Sequence, residues 1–208
     1  MDKVIGFHAY KHATILQHNN IQSKLKDLFS QKTPSQVLEI GTAAGGLSLM
    51  IRDTLDEIGL VNSQFRTYDV YDIKRPELTS IIEAGAIVDL RIKNVFNHAY
   101  SDLLDECVEE IQSFIQQEGT TIVMCDGGSK KNEFNILAKF LKPGDIIMAH
   151  DYSPSTEYFE EHINNKIWNW HEIQDSDIQE SVSEYNLEPF MQEDFQQVVW
   201  VCKIKNNE

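Results

Sequence analysis

The sequence predicts an α/β fold built on a largely parallel sheet, and three observations carry that prediction. Short apolar runs of strand length alternate with longer amphipathic stretches from about residue 36 to 149. The first of these runs ends in an acid-led glycine turn, Glu39-Ile40-Gly41-Thr42-Ala43-Ala44-Gly45-Gly46, that opens a helix. Two later runs end in acids, at Asp126 and at His150-Asp151. Strands alternating with helices over short links belong to a parallel sheet covered on both faces.

The totals agree with a single α/β domain spanning 1–208, since 208 residues with 41% hydrophobic composition can bury a substantial core. Acidic residues outnumber Lys and Arg by 33 to 18, a net charge of −15, which opposes general attraction to nucleic-acid backbones. The three cysteines, Cys107, Cys125 and Cys202, share no metal-ligand spacing and read as buried free thiols in a reducing compartment. No apolar run is long enough to cross a bilayer, and Met1-Asp2-Lys3-Val4-Ile5-Gly6 lacks a signal-peptide apolar region. The expectation is a soluble, cytoplasmic protein.

Residues 1–35 read as a loop and then a helical cap, with Ile15, Ile21, Leu25, Leu28 and Phe29 on one face. His8, Tyr10, His12 and His18 line it, either as exposed groups or as part of a lid that brings a histidine to a pocket. After Pro34-Ser35 comes the Val37–Ile40 strand, and the helix after the turn ends near Gly59, a residue suited to a C-terminal cap. Phe65 to Val70 is the second strand, with Asp69 near its end and Asp72 as its neighbouring competitor for a ligand. Pro76 opens a helix that ends near Gly85, and 86–92 is the third strand. Leu103, Leu104, Cys107, Val108, Ile111, Phe114 and Ile115 recur at three and four residues, a core-facing helix. Thr121 to Asp126, broken by Gly127-Gly128, is the fourth strand. A helix over about 131–141 and the turn Lys142-Pro143-Gly144 lead to the fifth, Ile146 to Ala149. Beyond Pro154 a helix over 156–164, a strand over 167–173, an acidic stretch over 174–194 and a last strand over 197–204 are expected.

The glycine turn alone presents backbone amides and a helix N-terminus to whatever lies above the strand ends. Ala43 stands where a dinucleotide fingerprint has its middle glycine, and Glu39 would repel a pyrophosphate but suits a cationic or amino-bearing ligand. Asp69 comes one βαβ step later, where an acid accepts hydrogen bonds from ribose hydroxyls.

With these residues in place, the chain resembles the class I S-adenosylmethionine-dependent methyltransferases over roughly residues 35–205. Glu39-x-Gly41-x-x-x-Gly45 matches the family's first motif and Asp69 its ribose-binding acid. Asp126-Gly127-Gly128, Leu141-Lys142-Pro143-Gly144-Asp145 and His150-Asp151 resemble the small-molecule and sugar O-methyltransferase subgroup, which includes cephalosporin-hydroxylase-like proteins. The resemblance implies a Rossmann-like three-layer sandwich whose seven-stranded, mostly parallel sheet takes its final strand in antiparallel. It divides the domain into the cap (1–35), a cofactor-binding core (36–152) and a C-terminal helix with antiparallel strands (153–208). It also implies that Glu39, Gly41, Thr42, Ala43 and Gly45 line the methionine end of S-adenosylmethionine. Asp69 would hold the ribose, Phe96 or its neighbours would meet the adenine, and Asp126 would face the sulfonium. Carboxylates near a sulfonium and an ammonium are electrostatically favourable.

An alcohol nucleophile must lose its proton to a base or a metal. Asp126 and Asp151, at adjacent strand ends, could hold Mg²⁺; metal-using relatives offer a third oxygen ligand where this chain has His150. Without metal, His150 or Asp151 is the base, and the histidine that the subgroup carries after strand four is replaced by Ser129-Lys130-Lys131. Those lysines either orient an acidic substrate, act as base, or sit solvated on a surface helix. The reading is methyl transfer to a hydroxyl of a small molecule, a sugar or other metabolite, with no membrane or nucleic-acid partner and with room for a homo-oligomer. A NAD-dependent oxidoreductase and a non-catalytic S-adenosylmethionine-binding protein are the alternatives. Residues 1–20 and 174–194 are the segments expected to shape the acceptor pocket.

Overall fold

The computed structural model describes residues 7–11, 13–71 and 88–207. A hairpin of β1 (Phe7–Tyr10) and β2 (Ala13–Leu16) precedes helix α1 (Ile21–Lys32). The main sheet begins with β3 (Gln36–Ile40), every residue of which is buried, as a strand covered on both faces requires. Helix α2 (Gly46–Glu57), β4 (Gln64–Asp69), β5 (Asp89–Ile92), α3 (Asp105–Ile115) and β6 (Thr121–Cys125) follow. Then come α4 (Lys130–Ala138), β7 (Ile146–Ala149) and a short helix α5 (Thr156–Tyr158) that runs into a π-helical turn over Phe159–Ile163. Helix α6 (Asp175–Glu184), β8 (Leu187–Pro189), α7 (Gln192–Gln196) and β9 (Val201–Lys205) complete the order.

The seven-stranded sheet runs β5-β4-β3-β6-β7-β9-β8. The strands from β5 to β7 are parallel, and β9 inserts antiparallel between β7 and β8. Two apolar clusters cover its faces. Ile21, Leu25 and Phe29 of α1 pack with Leu47, Met50 and Ile51 of α2 on one side. Cys107, Ile111 and Phe114 of α3 pack with Phe134 and Leu137 of α4 on the other. Three layers result, as the alternating pattern predicts. The chain order reverses between β3 and β6, and the crevice at the carboxyl ends of those two strands is where an open α/β sheet takes its ligands. Buried Asp145 ties the far ends of β6 and β7, accepting from the Thr121 and Lys142 amides and from the Lys142 ammonium. All three cysteines are free and buried, as expected.

Several elements differ from the sequence reading. Ile15 lies in β2 rather than on a helix, because α1 starts only at Ile21 and the four-residue strand before it alternates its burial. Residues 167–173 form no strand; Trp168 and Ile173 make single bridges, to Asn164 and Tyr152. The sheet's remaining edge is β8, inside the acidic stretch, where Leu187 alone of three residues is buried. The last strand starts at Val201, residues 197–199 being a turn. The helix over 156–164 changes to π geometry after its first turn. The helix between Pro76 and Gly85 and the competitor acid Asp72 lie outside the described residues, as does His12.

The hairpin roofs the start of α2. A Cβ on Gly46, the first residue of α2, would sit 2.7 Å from the Ile15 Cβ and closer still to the Thr14 carbonyl oxygen. Alanine in place of a helix glycine ordinarily stabilises by about 0.5–1 kcal/mol. Here Gly46→Ala is expected to lower the melting temperature and to expose the hairpin to limited proteolysis, because the new methyl meets backbone that cannot move aside without lifting β2.

Candidate active site

The turn after β3 is assembled by backbone geometry first. Gly41 and Gly45 adopt φ of 96° and 82°, and Ala43 adopts 47°, in the left-handed region that non-glycine residues rarely occupy. The Gly41 amide donates to the Tyr68 carbonyl at 2.9 Å and the Gly45 amide to the Thr42 carbonyl at 2.8 Å. A side chain on Gly41 would strike the Asp126–Gly127 backbone, its Cβ lying 2.7 Å from the Gly127 nitrogen. The two strand-end turns therefore touch main chain to main chain, and only glycine permits it.

Asp69, at the end of β4, holds the strained residue in place. Its Oδ2 accepts from the Ala43 amide at 2.7 Å and its Oδ1 from the Tyr71 amide at 3.0 Å. Each oxygen keeps a second lone pair for a hydroxyl donor. A cavity of about 370 Å³ runs from this carboxylate past Tyr68, Val95, Phe96 and Tyr100 to Asp126 and Gly127. Phe96 and Tyr100 stack at 5.5 Å and form its aromatic wall.

Glu39 is placed differently from the sequence reading. It is 0% exposed, below the turn, and is not among the residues that line the cavity. Its Oε2 accepts from the Ser48 hydroxyl and, at 2.6 Å, from Thr67, whose hydroxyl also meets that of Thr42 at 2.7 Å. Burial pushes its pKa up to about 8, against the lowering effect of those hydroxyls, so near neutral pH it is largely a neutral acid. It secures the turn from beneath.

At the ends of β6 and β7 the predicted acids and histidine converge. His150 Nδ1 lies 3.0 Å from Asp126 Oδ1 and 3.6 Å from Asp151 Oδ1. The imidazole is 2% exposed, stacked on Trp200 at 4.9 Å and tilted against Trp168 at 5.1 Å, and its Nε2 has no hydrogen-bond partner among the described residues. Burial disfavours its protonated form, yet the Asp151 and Asp126 charges outweigh that and raise its pKa. Asp151 sits at φ 57° and accepts from the Trp168 indole at 2.5 Å. Burial works against its charge, but His150, Lys130 and that indole together lower its pKa.

One site residue escaped the sequence reading, and a second is placed more deeply than a surface helix would put it. Gln17, at the foot of β2, donates to Asp126 Oδ2 at 2.7 Å and accepts from the Trp200 indole at 2.9 Å. The hairpin thus brings a glutamine to the site, and His18 accepts from the Asn20 amide. Lys130 is 7% exposed rather than solvated. Its ammonium lies 3.1 Å from Asp151, from Glu172 and from the Gly127 carbonyl. Burial alone would lower its pKa, but the charges of Asp126, Asp151 and Glu172 raise it, the opposite of the depression a base role would need. Gln17, Asp126, Lys130, His150 and Asp151 line a second compartment of about 150 Å³, roofed by β2, that shares Gly41, Ala43 and Asp126 with the first.

The donor set fits the organic cofactor and not the metal. A glycine cradle, an acid at the ribose position and an aromatic wall meet one cavity. For Mg²⁺, both oxygens of Asp126 and both of Asp151 already face protein donors, and the third group is an imidazole where Mg²⁺ prefers oxygen. Among the described residues no cluster of three or more His, Cys, Asp or Glu side chains could hold a metal ion.

No protein-family model matches the chain, and no curated protein matches it. Solved structures do. The apo form of CmcI aligns at TM-score 0.66 with 15% identity over 97% of this chain and 77% of that one. A Mg–SAM form of CmcI aligns at 0.60 with 15% identity, over 95% and 76%. An O-methyltransferase family protein from Burkholderia thailandensis aligns at 0.57 with 11% identity over 90% of this chain, which spans 55% of that protein's length. These likenesses establish the Rossmann-like methyltransferase fold, with its antiparallel last strand. No described helix is long and apolar enough to cross a membrane.

The buried Glu39 gives a pH signature. Its pKa rises from 4.5 to about 8 on folding, so the folded state binds the extra proton between those values, and stability falls as pH climbs through that window. Glu39→Gln, which stays neutral throughout, is expected to flatten that decline when melting temperature is followed from pH 4.5 to 8.

Proposed function

We propose that this protein transfers a methyl group from S-adenosylmethionine to a hydroxyl of a small molecule. The observation that carries the reading is the continuous cavity with a carboxylate at each end, Asp69 at one and Asp126 at the other, passing the glycine cradle between them. A carboxylate at the far end opposes a pyrophosphate and favours a sulfonium, which counts against a nicotinamide cofactor. The cofactor supplies an electrophilic methyl group when bound.

The chain's own residues then have distinct tasks. Asp69 anchors ribose hydroxyls while clamping Ala43, and Phe96 with Tyr100 offers the adenine an apolar face. Thr42, Ala43 and Gly45 shape the methionine end through backbone and a small side chain. Asp126 faces the positive centre and fixes the imidazole by taking the Nδ1 proton in a hydrogen bond, which leaves Nε2 as the unpartnered proton acceptor. His150 receives the acceptor's hydroxyl proton at Nε2, and Asp151 supports the cation so formed through its charge. The tryptophans on either side of His150 and the β2 roof exclude water. With Asp126 and Gln17 holding the ring, alignment of nucleophile and methyl carbon supplies much of the rate. Acceptor class enters through the compartment under β2, which is compatible with the sugar or metabolite hydroxyl expected from the sequence.

Calorimetry with S-adenosylmethionine, S-adenosylhomocysteine and NAD tests the cofactor. Binding of the first two and not of NAD is expected, and Asp69→Asn should weaken it by about tenfold or more, the loss of a charge-assisted hydrogen bond. Tight NAD binding with no response to the sulfonium compound would sink the reading. In turnover with a hydroxyl acceptor, His150→Gln should lower kcat about 10²–10⁴-fold with cofactor affinity unchanged.

A further inference from the structure

We propose that the Lys130 ammonium is the built-in cation of this site, holding the position among the strand-end acids that a divalent metal would otherwise take. The inference deepens the methyl-transfer reading and rests on it only for what the cation does in turnover; the occupancy of the position stands on geometry alone.

Four observations converge on the lysine. First, its placement opposes its helix. Lys130 is the first residue of α4, where a helix dipole disfavours a positive charge. Second, its contacts are those of a cation site rather than of a surface side chain. The ammonium has three donors, and Asp151 Oδ2, Glu172 Oε2 and the Gly127 carbonyl stand around it at 3.1 Å each. Third, those ligands come from three separate places in the chain, the turn after β6, the end of β7 and the segment before α6. Fourth, the same stretch is stiffened independently of the lysine, since Glu133 accepts from the Gly127 and Ser129 amides at 3.0 and 2.9 Å. A buried ammonium held in this way has a fixed charge and a fixed place.

The charge has a function there. Asp126, Asp151 and Glu172 would repel one another if nothing positive stood between them, and a like-charge cluster of this kind either protonates or captures a cation. Lys130 supplies that charge permanently and leaves Asp126, which it does not touch directly, free to face the cofactor. A divalent ion at the same place would have to displace the ammonium from Asp151 Oδ2, Glu172 Oε2 and the Gly127 carbonyl. The site is therefore arranged for chemistry without metal, and removal of one side chain should convert it into a metal site.

Mn²⁺ is the probe, its free fraction followed by electron paramagnetic resonance against the whole protein, with melting temperature as the second readout. Wild type is expected to take up no Mn²⁺ at this position and to show no shift on adding Mn²⁺ or a chelator. Lys130→Ala is expected to bind at least about tenfold more tightly than wild type, with a rise in melting temperature on adding Mn²⁺, and Asp151→Asn in that background should abolish the gain. Lys130→Arg, which keeps a cation, should stay metal-free. If Lys130→Ala does not fold, Lys130→Met, which retains the buried stem, replaces it. Uptake by wild type that Asp151→Asn removes, or a Lys130→Ala or Lys130→Met variant that folds and binds no better than wild type, overturns the proposal. Neither readout uses methyl transfer, so an absence of S-adenosylmethionine binding in calorimetry would defeat the functional reading while leaving the metal result to be judged by itself.

Discussion

The contact between two stretches of main chain, Gly41 against Asp126 and Gly127, is the constraint on which the site depends. It exists because position 41 lacks a Cβ, and it brings the ends of β3 and β6 together at the point where the strand order reverses. The Asp126 amide donates to the Ile40 carbonyl at 2.9 Å, so the acid's position is fixed by the turn it leans on. Everything above the sheet is hung from that seam. Asp69 clamps Ala43 beside it, Gln17 reaches Asp126 over it, and both compartments border it. The turn is stiff because its bonds are local and its strained residue is clamped by a carboxylate, which is what a site that must hold a ligand in register requires.

Carboxylates of one chemical type do three different jobs here because their surroundings differ. Glu39 is buried among hydroxyls and kept largely neutral, a structural bolt. Asp69 is partly open and accepts backbone amides, which leaves lone pairs toward the cavity. Asp151 is buried but sits between an ammonium, an imidazole and an indole, and so keeps its charge. A net charge of −15 does not describe any of these environments. What matters is which acid has a cation within reach and which has only dipoles.

Much of this was legible in the sequence, for a physical reason. The central strands β3, β6 and β7 are buried throughout, so they read as largely apolar runs, and the glycine turn, Asp126 and His150-Asp151 fall at their ends, with Asp69 at the end of β4. Elements that depend on long-range partners were not legible. Ala13–Leu16 is too short to show its alternation, and its neighbours Ile21 and Leu25 continue a helical spacing that absorbs Ile15. Leu187–Pro189 buries one side chain at a sheet edge, inside an acidic stretch that carries no strand signal. Residues 167–173 alternate convincingly, but Trp168 is consumed by Asp151 and the cage around His150 instead of by a ladder. Lys130 looks like any lysine at the start of a helix until Asp151 and Glu172 fold over it. Glu39 showed the converse, a motif residue found in sequence whose depth below the cavity only the fold reveals.

The bond between Gln17 and Trp200 joins positions 183 residues apart, and the same glutamine amide completes the environment of Asp126. Gln17 follows β2 and Trp200 precedes β9, so the second compartment needs the hairpin and the antiparallel strand in place together. A molecule whose β9 has failed to insert has a sheet and a glycine turn but no finished site, so the location of this one glutamine makes competence for ligand a report on the integrity of the whole fold.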